Sequence, residues 1–116
     1  SAADEEFVQR LNKYIKDNIA DQDMKVEKIT EYMGVSRTTL FNKMSNLIGS
    51  SANKYIRRIR MNEAKELLSK TDMPIGEIAL KTGFSESQYF STVFKQETGL
   101  TPSQFKDQNY KKGAIN

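Results

Sequence analysis

An arginine, a threonine and an asparagine stand together in the stretch Ser36-Arg37-Thr38-Thr39-Leu40-Phe41-Asn42, and each can hydrogen-bond the edge of a nucleic-acid base. If Leu40, Met44 and Leu47 form the buried stripe of a helix, Thr38 and Asn42 lie about 200° away and face outward, with Arg37 beside them. Asparagine pairs two-pronged with adenine, threonine or phenylalanine can touch a thymine methyl, and arginine can reach guanine or a phosphate. An A·T-leaning half-site is the expectation. For Arg37 a solvated polar face is an equal alternative. A second set, Gln88, Ser91 and Thr92 with Ser87 and Lys95 at the margins, takes the matching outward positions on a later helix. Gln88 fits equally well as the last member of a Ser85-Glu86-Ser87-Gln88 capping box.

Between these sets lies a run rich in cations: Lys54, Arg57, Arg58, Arg60 and Lys65, with Lys43 and Lys81 on or near the two sets. Any of them could neutralise phosphate, and the hydroxyls of Ser36, Thr39 and Ser85 together with Lys95 complete the candidate phosphate contacts. A solvated face, or intrahelical pairing with Glu63 or Glu66, is the competing account of each cation.

Other chemistry is excluded by composition. The chain has 116 residues and neither cysteine nor histidine. Disulfides, thiol nucleophiles, Cys/His zinc sites and Ser-His-Asp catalysis are therefore absent. No Gly-rich phosphate loop with its lysine and no paired base and nucleophile is visible, so neither an enzyme nor a cofactor or metal is expected. No apolar run approaches the ~18 residues needed to span a bilayer, and no signal-peptide core is present. A soluble, cytoplasmic domain without membrane contact is the expectation. The net charge of +3 is unevenly spread: residues 1–31 sum to −3 and the remainder to +6. Such asymmetry points to a polyanion-facing surface on the later part of the chain, although solvated helix faces carry similar excesses.

The elements that must hold these residues read as all-α. Phe7, Leu11, Tyr14, Ile15 and Ile19 give a first helix ending near Ile19. Asp23 fits as N-cap of a short second helix with Val26, Ile29 and Met33, stopped by Gly34. Ser36 caps the third, which ends by Gly49. Ser51 opens a long fourth helix to about Ser69, with Tyr55, Ile56, Ile59, Ala64, Leu67 and Leu68 inward. Thr71 or Asp72 precedes Pro74, expected in the first turn of a fifth helix with Ile75, Ile78, Ala79 and Leu80, stopped by Gly83. The Ser85 box opens a sixth with Tyr89, Phe90, Val93 and Phe94 as its apolar side, and Thr101-Pro102-Ser103-Gln104 opens a seventh around Phe105. Backbone donors near Asp23 and Asp72 could also receive phosphates, which an N-cap aspartate would oppose.

The chain repeats itself. A shift of 49 brings Asp23-Met24 onto Asp72-Met73, Ile29 onto Ile78 and Gly34 onto Gly83. After one extra residue the shift is 50, and Leu40 falls on Phe90, Met44 on Phe94, Gly49 on Gly99 and Tyr55 on Phe105. Each copy is a short helix, a tight glycine turn and a longer capped helix, the helix-turn-helix layout whose second helix enters the DNA major groove. The expected organisation is residues 1–69 for the N-terminal helix, first unit and linker helix, 70–112 for the second unit, and 113–116 as a tail.

Ile78-Ala79, Gly83-Phe84-Ser85, Tyr89-Phe90, Phe94-Lys95, Gly99 and Thr101-Pro102-Ser103 together are similar to the C-terminal signature of AraC/XylS-type transcription regulators. Val35-Ser36-Arg37, Leu40, Gly49, Tyr55-Ile56, Arg60, Ala64 and Leu67-Leu68 resemble the same family's N-terminal half. The resemblance covers roughly residues 7 to 109, departing at Ala52, where proline is usual, and at Asn42, where a basic residue is common. It implies sequence-specific binding of a double-stranded DNA operator, with both recognition helices in adjacent major-groove segments. It places base contacts at Thr38, Phe41 and Asn42, and a structural role at Arg60. Phe41 has a second reading as core, because it lies only about 60° from Met44 on a helical wheel. RNA polymerase, or other domains of the full-length regulator, are the implied protein partners. Asp4-Glu5-Glu6-Phe7 and the Ser36-Arg37 turn look most like the output domain of bacterial hybrid two-component sensors. On that reading the natural chain is longer, carries histidine kinase activity elsewhere and can be membrane-anchored, and Ser1-Ala2-Ala3 is a cloning remnant. The alternative from another class is a helical protein-interaction adaptor without DNA contact.

Overall fold

The structure, a computed structural model, describes residues 1–110. Seven helices and no strand occur among the described residues: α1 Ala2–Asp17, α2 Val26–Met33, α3 Arg37–Leu47, α4 Ala52–Lys70, α5 Ile75–Lys81, α6 Ser87–Thr98 and α7 Pro102–Asn109. The expected tail, 113–116, lies outside the described residues, as do the last residues of the expected second unit.

The chain divides into two compact units, Ser1–Ile59 and the part from Arg60 onward. The division falls inside α4, ahead of the boundary expected at 69/70, because the second half of that helix carries its own core residues. In the first unit Phe7, Leu11 and Ile15 of α1 meet Met24, Ile29 and Met33, then Leu40 and Met44 of α3, then Ile56 and Ile59. In the second, Met61, Ala64 and Leu68 pack with Ile78, Ala79, Phe84, Phe90, Val93 and Phe94. Burying such side chains contributes about 1.5–3 kcal/mol apiece, enough to hold helices of eight residues that would not persist alone.

Both helix-turn-helix turns close by the same device. Gly34 takes φ 70°, and the Val35 N–H donates back to the Thr30 carbonyl (3.2 Å). Gly83 takes φ 90°, and the Phe84 N–H donates to the Ala79 carbonyl (2.9 Å). A side chain at either glycine would be strained, since L-residues rarely adopt this region. Ser36 and Thr101 cap as expected: Ser36 Oγ accepts from the Thr39 N–H (3.1 Å), and Thr101 and Gln104 form a reciprocal capping box. Ser51 Oγ likewise accepts from the Lys54 N–H (3.3 Å).

Several sequence expectations are corrected. α1 ends at Asp17, not near Ile19, which still packs against the first core. Asp23 is not an N-cap: Lys25 holds that position without a side-chain bond, and Asp21 Oδ1 accepts from the Asp23 N–H (2.9 Å) instead. Pro74 is the N-cap of α5 rather than part of its first turn. The backbone donors near Asp23 and Asp72 therefore do not open helices. The Ser85 capping box does not form; α6 starts one residue later, with Glu86 as N-cap and no side-chain bond.

Three apolar residues expected inside are exposed: Leu47, Leu80 and Tyr89. The physical reason is a strict four-residue step. Leu40 and Met44 are followed by Ile48, which packs on the core, and Ile78 is followed by Thr82, which is fully buried. Tyr89 lies a residue ahead of Phe90, and its ring leans on Phe84 at 5.8 Å between centroids.

Candidate nucleic-acid interface

The first unit places Arg37, Thr38, Phe41 and Asn42 on the solvent side of α3, opposite buried Leu40 and Met44. Phe41 resolves the open choice about its packing, for it is 65% exposed. It forms the lip of a concavity of about 400 Å³, lined also by Arg37, Thr38, Met44 and the start of α4. Two pairs of groups at this end of α3 are already engaged. Ser36 Oγ donates to Thr39 Oγ1 (3.0 Å) while accepting from the Thr39 backbone, so those hydroxyls serve the cap first. Arg37 Nη1 donates to a carboxylate oxygen of Glu27 on α2. The Glu27 carboxyl is held below the ordinary carboxylate range, chiefly by its own backbone N–H and then, against partial desolvation, by the Arg37 charge.

Cations are distributed unequally. Lys54, Arg57 and Arg58 are exposed on the first half of α4, in the same unit as α3. The Arg58 guanidinium lies 5.7 Å over the Tyr55 ring, whose hydroxyl donates to Asn12 Oδ1. Lys43 is drawn toward α1 instead: its ammonium is 3.7 Å from Asp4 and 5.3 Å above the Phe7 ring. That ion pair competes with phosphate for a residue expected to contact it. Glu66 pairs with Lys70 (2.5 Å), one of the intrahelical pairs available on α4.

In the second unit Ser87, Gln88 and Thr92 are exposed on α6 and Ser91 is half-buried. Gln88 is not part of a cap, so its amide is not committed to the backbone in the way the box required. Thr92 Oγ1 donates to the Gln88 carbonyl (3.1 Å). Lys81, Ser85 and Lys95 are exposed around the same helix-turn-helix. Arg60 is the buried exception among the cations: Nη1 donates to the Thr82 carbonyl (2.7 Å), while Thr82 Oγ1 donates to that of Ile78 (2.8 Å). A buried guanidinium is tolerated only when so bonded, and this one ties α4 to the turn after α5.

Nothing in the sequence marks Glu27 at this surface. Its spacing carries no signal, since ten residues and a turn separate it from Arg37. No group of Asp and Glu that could hold a metal ion, and no helix long and apolar enough to cross a membrane, occurs among the described residues.

Known proteins share this arrangement. The family described as Helix-turn-helix domain matches residues 29–108. Histidine kinase P4 of Formosa agariphila is 35% identical over 92% of this chain, which spans only 8% of that protein. The arabinose operon regulatory protein of Escherichia coli is 33% identical over 85% of this chain, which covers 34% of its length. The C-terminal domain of AraT, a response regulator from Geobacillus stearothermophilus, superposes with a TM-score of 0.84 at 32% identity, over 95% of this chain and 91% of that one.

Proposed function

This chain belongs to the AraC-type helix-turn-helix family, and from that premise we propose that α3 and α6 read adjacent major-groove segments of one duplex. The domain is a sequence-specific DNA-binding output domain of a transcription regulator, a binding rather than a catalytic module. In the reading favoured here Arg37, Thr38, Phe41 and Asn42 contact bases from the first unit, and Ser87, Gln88, Ser91 and Thr92 from the second. Ser36, Thr39, Lys43, Lys54, Arg57, Arg58, Lys81, Ser85 and Lys95 supply phosphate contacts, which fix register and carry most of the salt dependence.

The observation that carries this reading is the exposure of Phe41 between hydrogen-bonding neighbours, on a helix whose buried stripe is complete without it. An outward phenylalanine flanked by Thr38 and Asn42 suits a groove where thymine methyls lie beside adenine edges. The similarity to Histidine kinase P4 and to a response regulator's C-terminal domain supports placement at the end of a hybrid two-component sensor. In such a protein, kinase chemistry belongs to other domains, RNA polymerase is the downstream partner, and this domain works in the cytoplasm with the chromosome.

Selection from a random duplex pool tests the function. Recovery of a common motif, bound with an affinity that falls steeply with salt, is expected. Salt-insensitive capture without a motif overturns it. Footprints over two adjacent major-groove segments, with Arg57→Ala plus Arg58→Ala weakening specific and random DNA alike, are expected for two docked units.

A further inference from the structure

Glu27 has an odd position for a DNA-facing surface. It stands in the first turn of α2, and its carboxylate reaches across the helix-turn-helix to Arg37, the first residue of α3. The two side chains are 63% and 67% exposed, so the pair is not a packing device, and surface pairs of this kind stabilise a fold very little. Facing a duplex, an unpaired carboxylate would simply repel phosphate.

Paired with Arg37 it does something else. It offsets the arginine's charge locally, which makes Arg37 a weaker counterion for phosphate. It occupies the Nη1 side of the guanidinium and leaves the opposite edge, Nε with Nη2, as a two-donor fork that matches O6 and N7 of guanine. It also restrains a long side chain before docking, so less rotamer freedom is lost on binding. We propose that Glu27 is a positioning residue for DNA reading: it directs Arg37 to a base edge of the guanine type instead of the backbone, and thereby sets selectivity at one base pair. This rests on the DNA-reading function proposed above and deepens it.

Wild type, Glu27→Gln, Arg37→Ala and the double variant are compared on three probes: the duplex enriched from a random pool, its single-base variants, and a random-sequence duplex. Glu27→Gln is expected to bind the random duplex two- to tenfold more tightly and to steepen the log–log salt slope by about one unit, as one more phosphate is neutralised. It is also expected to lose tenfold or more of its discrimination at the base pair that Arg37→Ala affects, and at no other. In the Arg37→Ala background Glu27→Gln should change discrimination no further. Unaltered discrimination, loss at a different base pair, or an equal loss on every duplex that follows a lowered melting temperature would each overturn the proposal. Failure of the wild type to bind any duplex in a salt-dependent way is a distinct result and removes the DNA-reading function itself.

Discussion

The two helix-turn-helix units use one register for different ends. Leu40 and Met44 of α3 occupy the positions of Phe90 and Phe94 in α6, and all four are buried. The outward positions do not match in this way. Phe41 corresponds to Ser91, Asn42 to Thr92, Arg37 to Ser87, and the N-cap Ser36 to Glu86. The second unit gathers its phenylalanines, leaving Tyr89 exposed: Phe84, Phe90, Phe94 and Phe105 form a chain of rings with successive centroids 5.2, 5.7 and 5.5 Å apart. The first unit's core is mostly aliphatic and methionine with the single buried phenylalanine Phe7, and it presents a second phenylalanine, Phe41, to solvent. Inner positions set whether a helix docks on its own unit. Outer positions are free of that constraint, and on the proposed reading they make the first unit the stronger reader.

The largest effect separates two phenylalanines. Phe90→Ala should cost about 3–5 kcal/mol, since a fully buried ring leaves a cavity among Phe84, Phe94 and Val93. Thermal unfolding should show a fall of about 10 °C or more. If that variant does not fold, Phe90→Leu should show the same direction at smaller size. Phe41→Ala should leave the melting temperature nearly unchanged and weaken binding to the selected duplex. Equal melting losses at both positions would break the comparison, because Phe41 would then be a structural residue like its buried neighbours.

Much of this contrast was legible in the sequence. Helix number, the 49–50 repeat, the glycine turns, and the Ser36 and Thr101 caps follow from local spacing and from backbone needs that a single turn must satisfy. What escaped depended on tertiary placement. The Ser85 box was chemically complete, but buried Phe84 fixes the chain end of the turn and α6 begins at Ser87, one residue beyond the box's register. Asp23 had the right chemistry for a cap, yet a turn closed by Asp21 moves the start of α2 past it. Periodicity marks Leu47, Leu80 and Tyr89 as apolar without saying where the facing surface ends. The Arg37–Glu27 contact joins two helices, so only their packing reveals it.

A middle-sized effect tests reading strength. Asn42→Ala should cost roughly 1–3 kcal/mol on the preferred duplex and relax selectivity at one position. Its counterpart Thr92 already donates its hydroxyl to the Gln88 carbonyl. Thr92→Ala should therefore cost less than about 1 kcal/mol, with a correspondingly small relaxation of selectivity at its base pair. Affinities of both variants for the selected duplex and its single-base variants decide this. A base-specific loss at Thr92 as large as that at Asn42 would make the two units equal readers.

The smallest effect concerns the N-cap of each recognition helix. Ser36 is neutral and accepts from the Thr39 N–H, whereas Glu86 makes no side-chain cap bond. Losing the serine cap in Ser36→Ala should cost about 1 kcal/mol of stability. Glu86→Ser is the reverse experiment, and two terms oppose one another in it. Serine supplies a better cap, but the carboxylate that is lost interacts favourably with the positive end of the helix by about 0.3–1 kcal/mol. The net change in stability should be only a few tenths of a kcal/mol. Binding should respond more clearly, because helix N-termini are where backbone donors meet phosphate and Glu86 puts a negative charge there. Random duplex should bind a few-fold tighter to Glu86→Ser, and the gain should shrink as salt rises and the Debye length falls from about 10 Å at 0.1 M. Selectivity should stay the same, since phosphate carries no sequence. An unchanged affinity at low salt would mean that the N-terminus of α6 does not approach the backbone, and the second unit would then support the fold without docking on DNA.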